Sequence, residues 1–186
     1  MSTIPTESAT VRPMRPEDLP KVLEIALVCY GPIHEEAVRI LGEAAWRAFR
    51  GGEESWEARK IARLRRWYEH HPDWAWVLTR AQEPVGFAFF RMDPGRGVGC
   101  IKTSGILPAH REQGLGSFLY RALLDHFRAH GLRFAYVDTG AEEVHRPARR
   151  AYEAAGFRCG PSLVRYWLDL RPLGDEGKNV PGEPGD

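Results

Sequence analysis

The sequence predicts an α/β fold, with a mixed β-sheet and helices on both of its faces. Segments with the composition of β-strands alternate along the chain with segments whose apolar residues recur at the period of a helix. The chain has 186 residues, 43% of them hydrophobic, which is enough for one domain with a full core. We expect this domain to cover residues 10–170, because 1–9 and 171–186 are polar or rich in proline and glycine, as flexible ends are.

The first elements are a short strand and an amphipathic helix. The strand is predicted over Val11–Met14, and the helix begins at Pro16, because proline suits the first helical position. Glu17 and Asp18 follow in the first turn, where the helix dipole favours acidic side chains. The helix is expected to bury one stripe of apolar residues, namely Leu19, Val22, Leu23, Ala26 and Leu27.

Two more helices are predicted before the second strand. One covers Glu35–Phe49 and ends at Gly51–Gly52, and the other runs from the N-cap Ser55 to His71. The surface of this third helix is crowded with basic side chains, which most simply form a solvated face but would also suit an anionic acceptor or partner. These residues are Arg59, Lys60, Arg63, Arg65 and Arg66.

The remaining elements complete the sheet and cover its second face. A turn at Gln82–Pro84 is predicted to join two strands, and a helix begins at Leu115 and ends at Gly131. A short helix is expected over Arg146–Ala155. The strands are predicted over Trp74–Thr79, Val85–Arg91, Cys100–Leu107, Phe134–Asp138 and Leu163–Leu170.

Composition and charge argue against several classes of protein. The formal net charge of +1 provides no overall field to attract nucleic acid or an anionic membrane. No apolar run approaches membrane-spanning length, and the first ten residues lack the apolar core of a signal peptide, so a soluble cytoplasmic protein is expected. The cysteines Cys29, Cys100 and Cys159 are scattered, which favours a reducing compartment over a disulfide framework or a metal site.

The stretch from Gly99 to Gly116 carries the clearest functional signal. A strand gives way to a turn at Pro108, the turn contains Gly114, and the next helix begins at once. The first turn of a helix has free backbone N–H groups and the positive end of the helix dipole. Glycines without a Cβ let an anion approach these amides closely, and Arg111 adds a guanidinium suited to phosphate. The sequence therefore predicts a phosphate or pyrophosphate site.

The spacing of this turn distinguishes between phosphate ligands. It lacks the lysine and hydroxyl residue of the nucleoside-triphosphate loop and the third glycine of the dinucleotide fingerprint. It resembles the R/Q-x-x-G-x-G/A signature of the GNAT superfamily of acyl-coenzyme A-dependent N-acetyltransferases. The matching segments are Ile106-x-Pro108-x-x-Arg111, Arg111-x-x-Gly114-x-Gly116 and Ala148-x-x-x-Tyr152-Glu153-x-x-Gly156-Phe157.

The resemblance implies a mostly antiparallel sheet with a splay between its central strands. It implies that acetyl-CoA is the cosubstrate and that its pantetheine arm pairs with the central strand at Ser104, Gly105 and Ile106. Gly105 would permit a close approach or a bulge there, or is simply a weak point of the strand. The pyrophosphate would bind at the turn and the helix start: Arg111, Glu112, Gln113, Gly114, Leu115, Gly116 and Ser117.

The reaction implied by the resemblance is direct attack of a primary amine of a small molecule or peptide on the thioester in a ternary complex. Tyr152 matches the family tyrosine that protonates the leaving thiolate. A phenol near pKa 10 giving a proton to a thiolate near 8.5 is uphill by only about 2 kcal/mol. His145 stands where the family usually has asparagine, so it either contacts the pantetheine arm or lies on the surface. A homodimer is left open.

The general base is less well defined. Many family members carry a glutamate in the central strand where this chain has Lys102 and Thr103. Asp138 resembles an alternative acidic position, although it would equally anchor the turn that follows, and a chain of water molecules could replace it. A non-catalytic acyl-CoA-binding sensor or interaction module is therefore the alternative function, since the phosphate turn serves both.

Overall fold

A computed structural model of the chain describes residues 9–50, 54–161 and 168. The predicted last strand, apart from Leu168, and the predicted C-terminal tail lie outside these residues. Ala9, assigned above to the N-terminal flexible segment, is the first residue of a strand.

The sheet is the one predicted: mixed and mostly antiparallel. Its strands follow one another across the sheet in chain order, each antiparallel to the next except for the last pair, which is parallel. Within the described ranges these strands are β1 (Ala9–Pro13), β2 (Ala75–Arg80), β3 (Glu83–Asp93), β4 (Val98–Ile106) and β5 (Phe134–Val137).

Helices cover both faces of this sheet. Along β3, Phe87 and Phe89 point to one core, and Ala88 and Phe90 point to the other, as the alternation of a strand requires. The first core lies beneath α1 (Leu19–Leu41) and α3 (Trp56–His70), and the second beneath α4 (Leu115–Ala129) and α5 (Arg146–Ala154). The helix α2 (Glu43–Arg50) follows α1 and buries no residue.

The break between the first two predicted helices is in a different place. The prediction that a second helix begins at Glu35 is wrong, because α1 continues through Pro32 to Leu41. The chain turns instead at Gly42, whose φ of +77° suits glycine. Proline inside a helix removes one backbone hydrogen bond, but the buried stripe of α1, which extends to Cys29, holds the helix against the sheet.

The turn between β2 and β3 also differs from the prediction. Ala81 and Gln82 form it, with φ values of +49° and +68°, while Pro84 lies inside β3. Positive φ at both central residues is typical of a type I′ hairpin turn, whose twist matches that of the flanking strands. Pro84 pairs opposite Thr79, where the register between the strands shifts.

Strand β4 separates from β5 halfway along its length. The two strands pair only between Val98–Ile101 and Phe134–Val137, while β4 continues to Ile106. Over residues 102–106, no other described strand pairs with that edge of β4. This is the splay between central strands that the resemblance implied, and it leaves backbone groups of β4 open to a ligand.

Candidate active site

The splay leads directly to the glycine turn at the start of α4. Gly114 is the N-cap of α4, with a φ of +77°, and a Cβ built on it would meet nothing within 4 Å. The hydroxyl of Ser117 donates to the Gly114 carbonyl oxygen at 2.9 Å and so steadies this first turn. Backbone amides at an open helix N-terminus favour an anion, the type of ligand that the sequence predicts for this turn.

Two other glycines of the site are explained by helix packing. A Cβ on Gly116 would lie 3.0 Å from the Cβ of Ala151, so glycine lets α5 approach α4. A Cβ on Gly105 would lie 2.9 Å from the Sγ of Cys29, so glycine lets α1 approach β4. The close approach expected at Gly105 is therefore to a helix, and the register shift of β4 falls at Lys102 instead.

Polar side chains hold the turn that connects β4 to α4. The Nε of Arg111 donates to the Ile106 carbonyl oxygen at 3.0 Å, at the end of β4. The side-chain oxygen of Gln113 accepts from Arg80 at 2.6 Å, and its amide nitrogen donates to the Ala109 carbonyl at 3.2 Å. Glu112, with a φ of +60°, completes a turn whose shape is fixed before any ligand binds.

Tyr152 lies in the core beside the splay. Its side chain is 9% exposed, and its ring centroid is 4.7 Å from that of Tyr120. The two hydroxyl groups of Tyr120 and Ser104 share a hydrogen bond of 2.9 Å. Burial, with Tyr152 adding to it, raises the pKa of Tyr120 well above its ordinary value, so Tyr120 remains a neutral phenol. The phenol of Tyr120 thus lies next to Ser104, the strand residue predicted to contact the cofactor, and the Tyr152 ring packs against Tyr120.

The other predicted candidates lie beyond the end of β5. Asp138 follows the last residue of β5 and is exposed. Nδ1 of His145 is 3.3 Å from a carboxylate oxygen of Glu142, without the alignment of a hydrogen bond. Burial lowers the pKa of His145 despite this carboxylate. Neither Asp138 nor His145 makes a hydrogen bond to Ser104, Gly105 or Ile106 in the part of the chain that the structure describes.

The opposite face of β4 carries a polar cluster that sequence reasoning missed. The hydroxyl of Thr103 accepts a hydrogen bond from Nζ of Lys60 at 3.0 Å and shares one of 2.5 Å with the hydroxyl of Tyr30. Nζ of Lys60 also lies 3.1 Å from the centroid of the Tyr30 ring. Lys60 is therefore not part of a solvated face, as was expected of the third helix, but is 5% exposed.

The surroundings of Lys60 favour its neutral form. Burial, reinforced by the positive charges of Arg63 and Arg50, lowers the pKa of Lys60 to about 6. Lys60 precedes the buried Leu64 by four residues, which places the two on the same face of α3. That spacing was a usable signal, but the arginines around Lys60 obscured it.

Lys60 lies at the edge of a cavity of about 220 Å³ between α1, α2 and α3. Nδ1 of His34 accepts a hydrogen bond of 2.8 Å from the indole nitrogen of Trp46, and the His34 ring stacks on Trp56 with centroids 5.1 Å apart. The wall of this aromatic-basic cavity consists of Tyr30, Ile33, His34, Trp46, Arg50, Trp56, Arg59, Lys60 and Arg63. Arg63, Arg65 and Arg66 are all exposed, as expected of a solvated face, but Arg63 also borders the cavity, as does the half-buried Arg59.

The structure thus combines a splayed mixed sheet with a central strand that runs into a glycine turn at a helix N-terminus. The model of the acetyltransferase (GNAT) family matches residues 38–157. The chain belongs to this family, as the motif resemblance implied.

Individual relatives agree with this assignment. The chain is 33% identical over 125 residues to mycothiol acetyltransferase of Corynebacterium glutamicum, a match that covers 65% of the chain and 39% of that relative. It thus spans about two-fifths of the length of that protein. YycN of Bacillus subtilis superposes with a TM-score of 0.62, at 18% identity, over 87% of this chain and 99% of that one. A GNAT family acetyltransferase of Brucella melitensis in complex with acetyl-CoA superposes with a TM-score of 0.51, at 16% identity, over 84% and 92%.

The described residues contain neither a metal-ion cluster nor a membrane-spanning helix. Among the described residues, no three His, Cys, Asp or Glu side chains stand close enough together to hold a metal ion. None of the helices in the described part is both long and apolar enough to cross a membrane.

Proposed function

We propose that this chain transfers the acetyl group of acetyl-CoA to a primary amine of a small molecule or peptide, by direct attack in a ternary complex. The observation that carries the proposal is the open edge of β4 over residues 102–106, which ends at the glycine turn of α4. One ligand that combines an extended amide-containing arm with a pyrophosphate would use both features at once. Coenzyme A has this composition.

The cofactor is proposed to bind along β4 and over the start of α4. Ser104, Gly105 and Ile106 would pair with the pantetheine arm through their backbone groups. Residues 111–117 would hold the pyrophosphate, mainly through the backbone amides after Gly114. The Nε of Arg111 already binds the Ile106 carbonyl, so this side chain joins the strand end to the phosphate turn. His145 is retained as a candidate contact to the pantetheine arm.

Tyr152 is proposed as the general acid. When the amine attacks, the C–N bond forms, the C–S bond breaks, and the departing thiolate takes a proton from the phenol. The contact between the rings of Tyr152 and Tyr120, and the bond from Tyr120 to Ser104, would fix the acid beside the cofactor strand. This chemistry needs the thioester and the amine held together, which supplies much of the acceleration through proximity.

The attacking amine must also lose a proton, since an alkylammonium with a pKa of about 10.4 is mostly charged at neutral pH. Asp138 and a water chain remain candidates for this step. Lys60 is a third candidate base, because its amine donates a hydrogen bond to Thr103. Thr103 occupies one of the two positions where many family members carry a glutamate. A neutral lysine accepts a proton as a carboxylate does, and the lowered pKa of Lys60 makes this form available.

Release of free thiol from acetyl-CoA in the presence of a panel of primary amines tests the proposed reaction. We expect amine-dependent thiol release, and a rise in melting temperature on adding coenzyme A alone, by linkage. Cofactor binding without thiol release for any amine would instead favour a non-catalytic acyl-CoA-binding module.

A further inference from the structure

We propose that the aromatic-basic cavity is the acceptor site and that it selects an amine that also carries an anionic group, a carboxylate or a phosphate. This inference rests on the proposed acetyl transfer and specifies the class of acceptor. It depends on the charge of the cavity wall, on its aromatic side chains and on the contact of its inner end with β4.

The wall of the cavity is strongly biased in charge. It includes Arg50, Arg59 and Arg63, and no aspartate or glutamate among its described residues. The guanidinium of Arg50 lies 4.2 Å from the centroid of the Trp46 ring. Arg63 and Arg50 are close enough to Lys60 to lower its pKa. A guanidinium group such as that of Arg63 can bind a carboxylate or phosphate through two parallel hydrogen bonds.

Aromatic rings form the rest of the wall. The indole N–H of Trp46 can only donate, so Nδ1 of His34 accepts and the proton of a neutral His34 is on Nε2. His34 stacks on Trp56 and is fixed by Trp46, so the three rings form one preorganised surface. Such a surface suits a flat or apolar body attached to the anionic group.

The inner end of the cavity reaches the strand predicted to hold the cofactor. Lys60 and Tyr30 both line the cavity and both bind the hydroxyl of Thr103, the neighbour of Ser104 in β4. An acceptor whose anionic group lies against the arginines would thus present its amine at Thr103. A neutral Lys60 there would not repel an incoming ammonium. A cavity of about 220 Å³ is smaller than the pockets of drug-sized ligands, so it fits a small acceptor or the end of a peptide.

Matched pairs of amines test this proposal by calorimetric titration, with and without coenzyme A. L-Tryptophan and tryptamine differ by the carboxylate, and O-phosphoethanolamine and ethanolamine differ by the phosphate. Titrations with wild type are compared with Arg63→Gln, which removes a charge from the cavity. The control is Arg65→Gln, an exposed arginine of the same helix that does not line the cavity.

We expect an anionic member of at least one pair to bind about tenfold more tightly than its neutral partner, as a charge-assisted contact predicts. The pair that shows the preference identifies carboxylate or phosphate as the recognised group. Arg63→Gln should reduce that preference to below about threefold, and Arg65→Gln should leave it unchanged.

Equal binding of both members of each pair, no binding of any anionic member, or an undiminished preference in Arg63→Gln would overturn the inference. These outcomes concern the acceptor alone. The failure of the proposed function would appear separately, as absence of coenzyme A binding or of thiol release with every amine of the panel.

Discussion

The two faces of strand β4 carry different chemistry one residue apart. On the face covered by α4, Ser104 meets the neutral phenol Tyr120, which packs on Tyr152. On the face covered by α1 and α3, Thr103 meets Tyr30 and the buried amine of Lys60. Phenols suit the protonation of a thiolate, whereas a buried amine surrounded by guanidinium groups suits a proton-accepting or anion-binding role. One strand can in this way separate the cofactor chemistry from the acceptor chemistry.

The largest effect is expected on the α4 face. Tyr152→Phe removes only the phenolic oxygen, so the ring contact with Tyr120 should survive and coenzyme A affinity should barely change. Turnover should fall by about 10²-fold, the lower range for general acid catalysis. Tyr136→Phe is the matched control, because Tyr136 is 46% exposed on β5. Steady-state rates and coenzyme A titrations of both variants measure the difference.

Full turnover in Tyr152→Phe would show that Tyr152 is not the general acid. An equal loss in Tyr136→Phe would show that removing a phenolic oxygen outside the site also slows the reaction, which would contradict a specific role of Tyr152 as proton donor.

A stability measurement addresses the α1 and α3 face. Because the pKa of Lys60 is lowered from 10.5 to about 6, the folded protein binds fewer protons than the unfolded chain between these values. The free energy of unfolding should therefore rise with pH from 7 to 9, by at most about 1.4 kcal/mol per pH unit from this residue. Lys60→Met should lose this slope, while Lys102→Met, at an exposed lysine of β4, should keep it. Urea unfolding at several pH values provides the data.

An unchanged slope in Lys60→Met would mean that Lys60 is charged in the folded protein. The Tyr30 ring and Thr103 would then compensate for its burial, and Lys60 could not accept a proton from the acceptor.

The two faces also differ in how much of their structure could be predicted from the sequence. The glycine turn at Gly114 and the flanking strand and helix are local features, so spacing and propensity indicated them. Tyr30 and Thr103 are 73 positions apart in the sequence, so no local pattern could predict the hydrogen bond between them. The continuation of α1 through Pro32 likewise depends on packing against the sheet, which overrides the local preference.

A smaller effect is expected when the phosphate turn is altered. Gly114→Ala adds a Cβ at a φ of +77° and should weaken coenzyme A binding about tenfold, by displacing the amides of the turn. Gly131→Ala is the matched control, since Gly131 has a φ of +73° and open space, at the other end of α4. Both variants should lose about 1 kcal/mol of stability from backbone strain. Only the first should lose affinity.

Wild-type coenzyme A affinity in both glycine variants would mean that the pyrophosphate does not bind at the turn of Gly114. A loss in both would mean that strain in α4, and not the position of the amides, controls binding.

The smallest effect is expected at Asp138, which the sequence suggested as the base. Asp138 is exposed beyond the end of β5, whereas the amine of Lys60 on α3 donates a hydrogen bond to Thr103 of β4. If Lys60 or water accepts the proton, Asp138→Asn should keep turnover within about threefold of wild type and leave the shape of the pH–rate profile unchanged. If Asp138 is the base, the rate should fall mainly below the pKa of the acceptor amine and recover above it, because a neutral amine needs no base. The pH–rate profiles of Asp138→Asn and Lys60→Met, measured with one amine, therefore decide whether Asp138, Lys60 or neither of them accepts the proton.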